Sequence, residues 1–123
     1  MKLVWISILG LTGVLARYAT TEIGKRLIPI DFPWGTLAAN LLGSFLIGMI
    51  YVWGIERQEI SETLRTAIII GFLGGFTTMS SYSMDVIRFV DSQQYIRAAL
   101  YGLGTPAICL CLTMLGVLLT RKI

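Results

Sequence analysis

The sequence contains no histidine, only two cysteines and few charged residues. Histidine is the commonest metal ligand and the usual proton shuttle, so its absence removes much of the chemistry of zinc and haem proteins. Cys109 and Cys111 are two residues apart, and side chains at that spacing do not share a face of a helix, which argues against a metal or redox pair. Neither a nucleophile–base pair nor a phosphate-binding loop is present, so the sequence does not support an enzyme.

Carboxylates are also missing from the middle of every apolar stretch. The acidic residues fall in loops or toward the end of the third stretch, and they are Glu22, Asp31, Glu56, Glu59, Glu62, Asp85 and Asp91. A proton-coupled or cation carrier depends on a carboxylate within the membrane, and a small drug/proton antiporter of similar length depends on one in its first helix. Here the first helix carries Arg17 as its only charge apart from Lys2. Neutral donors and arginine are better suited to an anion.

The sequence does contain long apolar stretches. Hydrophobic residues make up 55% of the chain and the mean hydropathy is +0.77. Four stretches are each long enough, at roughly 20 residues, to cross about 30 Å of hydrocarbon as a helix. We place these spans near 3–21, 33–54, 63–90 and 95–119 of a single membrane domain. The first stretch resembles a secretory signal, but three more spans follow and we interpret it as a transmembrane helix.

The segment from Gly71 to Asp85 differs from the rest of the third span. It places three glycines and a cluster of hydroxyl residues within an otherwise apolar run. A helix that loosens at membrane depth is tolerated only where it is buried in protein or lines a polar pathway. The sequence therefore predicts an all-α membrane protein whose third helix is broken mid-membrane, at the functional region.

The basic residues give almost no preference for one orientation in the membrane. Lys2, Arg57, Arg65, Arg121 and Lys122 fall on one side, and Lys25, Arg26, Arg88 and Arg97 fall on the other, with Arg17 just inside it. Such a balance permits insertion both ways up and hence an antiparallel dimer. Three spans also contain many small residues, including Gly13, Gly48 and Gly71. These residues either pack only the helices of one subunit or also form the interface of a dimer, and we favour the dimer.

Several polar residues within the spans are candidates for function. Arg17 either serves a pathway or extends to the lipid headgroups. Asn40 must find partners in its apolar helix, and the simplest partner is another helix. In the fourth span Tyr101, Thr105 and Cys109 form a weakly polar stripe, and Pro106 frees a backbone carbonyl beside it.

Together these residues resemble the Fluc (CrcB) family of small fluoride channels. The motifs are Gly10-x-x-Gly13-x-x-x-Arg17-Tyr18, then Pro33-x-Gly35-Thr36-Leu37-x-x-Asn40-Leu41-Leu42-Gly43-Ser44-x-x-x-Gly48, then Gly71-Phe72-x-Gly74-Gly75-x-Thr77-Thr78-x-Ser80, with Tyr101-x-x-x-Thr105 in the fourth span. The second and third motifs together are specific, and the similarity extends over the whole chain.

The resemblance implies a passive fluoride channel in the bacterial plasma (inner) membrane. It implies an antiparallel, dual-topology homodimer with two pores and one structural Na⁺ on the dimer axis, held by the backbone carbonyls of Gly74 and Thr77. The donors that would replace the water around fluoride are Asn40, Thr78, Ser80, Tyr101 and Thr105. Arg17 would lie at the vestibule.

The chain departs from this family at three pore positions. Met79 and Tyr82 stand where two phenylalanines are usual, in TTMSSY instead of TTFSTF, and Cys109 replaces a serine. Tyr82 keeps a ring edge of positive quadrupole, whereas Met79 offers only a polarisable side chain. Three outcomes fit: a working channel with a modified pore, one half of a heterodimer with a sister subunit, or an engineered variant. A non-conducting subunit kept for assembly is a further alternative.

Overall fold

A computed structural model describes residues 1–123 as an all-helical chain. Its four helices that are long and apolar enough to cross a membrane are Lys2–Leu27, Trp34–Glu56, Glu62–Asp91 and Tyr95–Lys122, which we call the first to fourth spans. The second span is α-helical over Trp34–Ile50 and widens into π-helical turns over Tyr51–Glu56. The all-α, four-helix architecture predicted from the sequence is confirmed.

The third span consists of two helical parts. Its first half runs through Glu62–Thr66, π-helical turns over Ala67–Leu73 and a short turn at Gly74–Phe76, and its second half is the helix Met79–Asp91. Between the halves, Thr77 and Thr78 are extended, with ψ angles of 156° and 112°. The interruption predicted in this span therefore lies at these two threonines.

The halves of the third span have different neighbours. The first half packs against the first span, whereas the second half packs against the fourth. The second span lies along the fourth span and also contacts the first. The break thus lies where the chain passes from one helix pair to the other, with the second span alongside.

Close contacts between helices occur at glycines inside the single chain. A Cβ atom on Gly13 would collide with the Phe72 carbonyl, and one on Gly48 would collide with the Thr113 carbonyl. A Cβ on Gly71 would lie 2.7 Å from the carbonyl oxygen of Ile6. Small residues allow such backbone approach in lipid, where helices associate by packing. Because these glycines pack one subunit, they do not argue for a dimer.

Ion pairs and carbonyl contacts join the helix ends on the side that carries both termini. Lys2 pairs with Glu62, and Arg121 pairs with Glu56. The Arg65 guanidinium donates to the Gly54 carbonyl at 2.7 Å, and Arg57 donates to the Thr120 carbonyl at 3.0 Å. These carbonyls lie at the ends of the second and fourth spans, where helical N–H donors run out, and the Thr120 carbonyl also accepts from the Ile123 N–H at 3.3 Å.

Candidate functional site: a neutral cavity at the break of the third span

Asn40 bridges the break of the third span with both ends of its amide. Its Oδ1 accepts from the Thr78 backbone N–H at 2.7 Å, and its Nδ2 donates to the Thr78 carbonyl at 3.0 Å. Extended backbone at membrane depth has no water to satisfy it, so these two hydrogen bonds replace those that the interrupted helix has lost. The Nδ2 group carries two hydrogens, and one remains available beyond this pairing.

The Thr78 side chain starts the second half of the span. Its Oγ1 accepts from the backbone N–H of Ser81 at 3.3 Å, which caps the helix Met79–Asp91, and it lies 3.1 Å from the Ser81 hydroxyl. Capping by threonine satisfies one of the N–H groups that have no helical acceptor. Thr78 is therefore held by its backbone to Asn40 and by its side chain to the following helix.

The break also changes the surroundings of two backbone carbonyls. In a continuous helix, the N–H groups of Thr78 and Ser81 would pair with the carbonyls of Gly74 and Thr77. Here those N–H groups are bound by Asn40 and by the Thr78 hydroxyl. The two carbonyl oxygens lose these partners, and hard oxygen donors of this kind match a small hard cation.

A cavity of about 350 Å³ opens beside the break. It is lined by residues of the second, third and fourth spans, namely Asn40, Gly43, Ser44, Ile47, Ile69, Leu73, Gly74, Thr77, Thr78, Met79, Tyr82, Thr105, Pro106 and Cys109. We call it the neutral cavity, because it contains hydroxyl, amide and thiol groups but no charged side chain. Thr105 is buried, and the Cys109 thiol lies 3.6 Å from the Asn40 carbonyl, to which it donates.

A second, wider cavity of about 1030 Å³ lies on the other side of Thr78. Its wall includes Arg17, Lys25 and Arg88 together with the carboxylates of Asp31 and Asp85. We call it the charged cavity. Thr78 lines both cavities, so the threonine that caps the helix Met79–Asp91 lies between the charged cavity and the neutral cavity.

Residues 4–117 match the model of the family described as CrcB-like protein, Camphor Resistance (CrcB). The chain belongs to the CrcB family. It is 38% identical over 122 residues to a fluoride-specific ion channel FluC of Citrifermentans bemidjiense, covering 99% of this chain and 98% of that protein. It is 37% identical over 121 residues to the fluoride-specific ion channel FluC of Hahella chejuensis, covering 98% of this chain and 95% of that protein. The FluC of Magnetococcus marinus is 32% identical over 123 residues, and both chains are covered completely.

Six of the pore positions predicted for this CrcB chain meet at the neutral cavity. They are Asn40, Thr78, Met79, Tyr82, Thr105 and Cys109. Met79 is 69% exposed in the single chain, so its side chain lies at the open edge of the cavity. Gly74 and Thr77, the positions predicted for Na⁺, line the same cavity.

Three predicted residues of this CrcB chain lie outside the neutral cavity. Ser80 is exposed, and its hydroxyl is 3.4 Å from that of Thr78. Tyr101 is buried in an aromatic cluster with Phe32, Tyr82 and Phe89. Arg17 lines the charged cavity.

Asp85 is a site residue that reasoning from the sequence missed. The sequence places it toward the end of the third span, yet it is buried and accepts a hydrogen bond from the Tyr101 hydroxyl at 3.2 Å. Tyr82 and Asp85 are three residues apart and hence neighbours on the helix surface, so the spacing alone places this carboxylate beside one predicted pore residue.

Proposed function

We propose that this chain is a subunit of a passive, fluoride-selective channel in the bacterial plasma membrane. The observation that carries the proposal is the neutral cavity at the break, which gathers amide, hydroxyl and thiol groups and contains no carboxylate. Fluoride is small and strongly hydrated, so a pathway must offer hydrogen-bond donors in place of water. The names of the relatives, fluoride-specific ion channel, support the same anion and a transport role instead of an enzymatic one.

The donors act in sequence along the cavities. An anion attracted by Arg17 enters the charged cavity and reaches Thr78, which borders the neutral cavity. There it meets the second N–H of Asn40 and the buried Thr105 hydroxyl, while the Cys109 thiol, whose proton is donated to the Asn40 carbonyl, borders the pathway. The ring edge of Tyr82 and the polarisable side chain of Met79 complete the wall. Ser80 adds a hydroxyl at the rim, and Tyr101 supports the ring of Tyr82 at a centroid distance of 5.3 Å.

Two antiparallel copies, each contributing to two pores, form the functional channel. A single chain leaves Met79 and Gly74 exposed at the edge of the neutral cavity, so one copy supplies only part of a closed wall. The balanced basic residues permit both orientations. Cysteines added singly at Lys2 and at Gln93, on opposite sides, test this. Each is expected to be half labelled by an impermeant thiol reagent from outside the cell, and labelling of only one of the two would contradict a dual topology.

A structural Na⁺ is held at the dimer axis by the carbonyls of Gly74 and Thr77 from each copy. The fit rests on the donor set, because the break removes the usual helical partners of both carbonyls and no cluster of acidic, histidine or cysteine ligands competes for a metal. When bound, the cation supplies positive charge beside the anion pathway. Exchange of Na⁺ for the larger Cs⁺ should lower the melting temperature of the purified dimer. An unchanged melting temperature would contradict this site.

Efflux from reconstituted liposomes tests the function directly. Vesicles loaded with fluoride should release it through this protein and retain chloride when both are present. The flux should follow the fluoride gradient and need neither ATP nor a proton gradient. Release no faster than from protein-free vesicles, with this chain alone and with a sister subunit, would overturn the proposal.

A non-conducting or heterodimeric subunit is the second candidate, and Met79 is the observation that favours it. The side chain at this position offers no ring to the pathway and is 69% exposed. Met79→Phe separates the cases: a silent protein that begins to conduct would indicate a subunit whose partner normally supplies the ring. A drug/proton antiporter is not favoured, because family membership points to CrcB channels.

A further inference from the structure

The fourth span contains a second place where a membrane helix loses a backbone hydrogen bond. Pro106 lies inside the helix Tyr95–Lys122 and has no N–H to donate to the carbonyl of Gly102, four residues earlier. Lipid offers no water to replace the missing donor. A carbonyl left unpaired at this depth is costly, and its oxygen presents a negative partial charge to its surroundings.

The Tyr82 hydroxyl occupies the missing donor's place. It donates to the Gly102 carbonyl oxygen across the interface between the third and fourth spans. A Cβ added at Gly102 would lie 3.9 Å from the Tyr82 hydroxyl oxygen, an ordinary van der Waals contact, so the approach does not depend on glycine at this position. The side chain at position 82 thus satisfies the carbonyl that the proline at position 106 has freed.

The same tyrosine forms part of the wall of the neutral cavity. Its ring and Pro106 both line that cavity, and on another side the ring packs on Tyr101 at 39°. The ring is therefore fixed at two points, by Tyr101 and by the Gly102 carbonyl. Without the hydroxyl, the ring would lose one of these points, and an unpaired carbonyl oxygen would lie close to an anion pathway.

We infer that the Tyr82 hydroxyl and Pro106 act as a pair, in which Tyr82 neutralises the Gly102 carbonyl freed by the proline and holds its ring edge toward the neutral cavity. Tyr82 is in this respect a positioning residue whose hydroxyl is needed only because Pro106 is present. This inference rests on the proposed fluoride pathway, and it predicts that the two positions are not independent.

A double-mutant cycle of Tyr82→Phe and Pro106→Ala in the full-length reconstituted protein tests the pair. With Pro106 present, Tyr82→Phe should lower fluoride efflux per protein by about threefold to tenfold, the range expected for one membrane hydrogen bond. It should also lower the ratio of fluoride to chloride efflux, because the ring is no longer held. In the Pro106→Ala background the new alanine N–H can pair with the Gly102 carbonyl, so Tyr82→Phe should change the efflux by less than about twofold.

Tyr95→Phe is the matched control, since Tyr95 is 62% exposed and lies outside both cavities. It should leave efflux and selectivity unchanged. Equal effects of Tyr82→Phe with and without the Pro106→Ala substitution would overturn the inference. So would a lower melting temperature with an unaltered selectivity ratio, because a purely structural role predicts that result.

The test also separates this inference from the proposed function. If the unmodified protein conducts no fluoride, the proposed function fails. The double-mutant cycle is then evaluated from the melting temperatures of the four purified proteins. A loss of stability on Tyr82→Phe that disappears in the Pro106→Ala background would still support the pairing of the two residues. Additive losses would overturn it.

Discussion

The two cavities that meet at Thr78 differ in both size and chemistry. The charged cavity is about 1030 Å³ and contains arginine, lysine and carboxylate side chains, whereas the neutral cavity is about 350 Å³ and has none of these. Under the proposed function, the charged side chains of the first cavity attract the anion, and the neutral donors of the second replace part of its water.

The hydrogen bonds that repair interrupted backbone come from side chains of the neutral cavity, whereas Arg17 in the charged cavity takes no part in them. Asn40 forms two hydrogen bonds to the interrupted segment, and Tyr82 forms one to the fourth span. Substitution of Asn40 or Tyr82 should therefore affect both stability and flux, whereas substitution of Arg17 should affect flux alone. Three experiments test this comparison.

The largest effect is expected from Asn40→Leu. This change removes both partners of the Thr78 backbone, and an unpaired buried N–H or C=O costs about 1–3 kcal/mol, so the pair should cost about 2–6 kcal/mol. Loss of the correctly held donor should also reduce fluoride efflux more than about tenfold. Thermal unfolding in detergent and liposome efflux measure the two effects.

Thr113→Val is a suitable control for Asn40→Leu. The Thr113 hydroxyl donates to the Ser44 carbonyl at 2.8 Å, again between the second and fourth spans. Ser44 lies within the regular helix Trp34–Ile50, so its carbonyl keeps a helical partner when the hydroxyl is lost. This change should cost only about 0.6 kcal/mol. Equal losses of stability in the two variants would contradict the claim that Asn40 replaces the backbone hydrogen bonds lost at the break.

Thr105→Val should have an intermediate effect. The substitution keeps a similar shape but removes a buried hydroxyl from the neutral cavity. A hydrogen bond to a charged group contributes about 1.5–3 kcal/mol, so loss of this donor should lower fluoride efflux by about tenfold or more. Thr12→Val is the control, because the Thr12 hydroxyl is exposed and bonds only the Leu9 carbonyl of its own helix at 2.8 Å. Unchanged efflux in Thr105→Val would remove Thr105 from the pathway.

The smallest effect is expected from Arg17→Gln in the charged cavity. Arg17 attracts anions over a distance, and salt screens such attraction, with a Debye length of about 30 Å at 0.01 M and about 8 Å at 0.15 M. Efflux should fall about twofold in the dilute buffer and return toward that of the unmodified protein at the higher salt concentration. The Thr105→Val defect should not depend on salt. A salt-independent loss in Arg17→Gln would instead place Arg17 in direct contact with the anion.

Much of the architecture follows from local features of the sequence. Hydropathy predicts four spans, and the glycines and hydroxyl residues of Gly71–Asp85 predict that the third helix is interrupted within that segment, because both depend on neighbouring residues alone. The structure keeps the glycines helical and places the break after them, at Thr77 and Thr78. The need for a partner at Asn40 is equally local, since an amide in an apolar helix must be satisfied. The sequence also indicates that Pro106 frees a carbonyl.

The choice of partners was decided by the tertiary structure. Asn40 pairs with backbone that is 38 residues away, Tyr82 with a carbonyl 20 residues away, and Tyr101 with Asp85, which the sequence did not place inside the bundle. The glycines that suggested a dimer pack one subunit. Helix formation and breakage are set over a few residues of chain, whereas hydrogen bonds between spans depend on how the helices are rotated and offset against one another. That arrangement is fixed only when all four helices pack together.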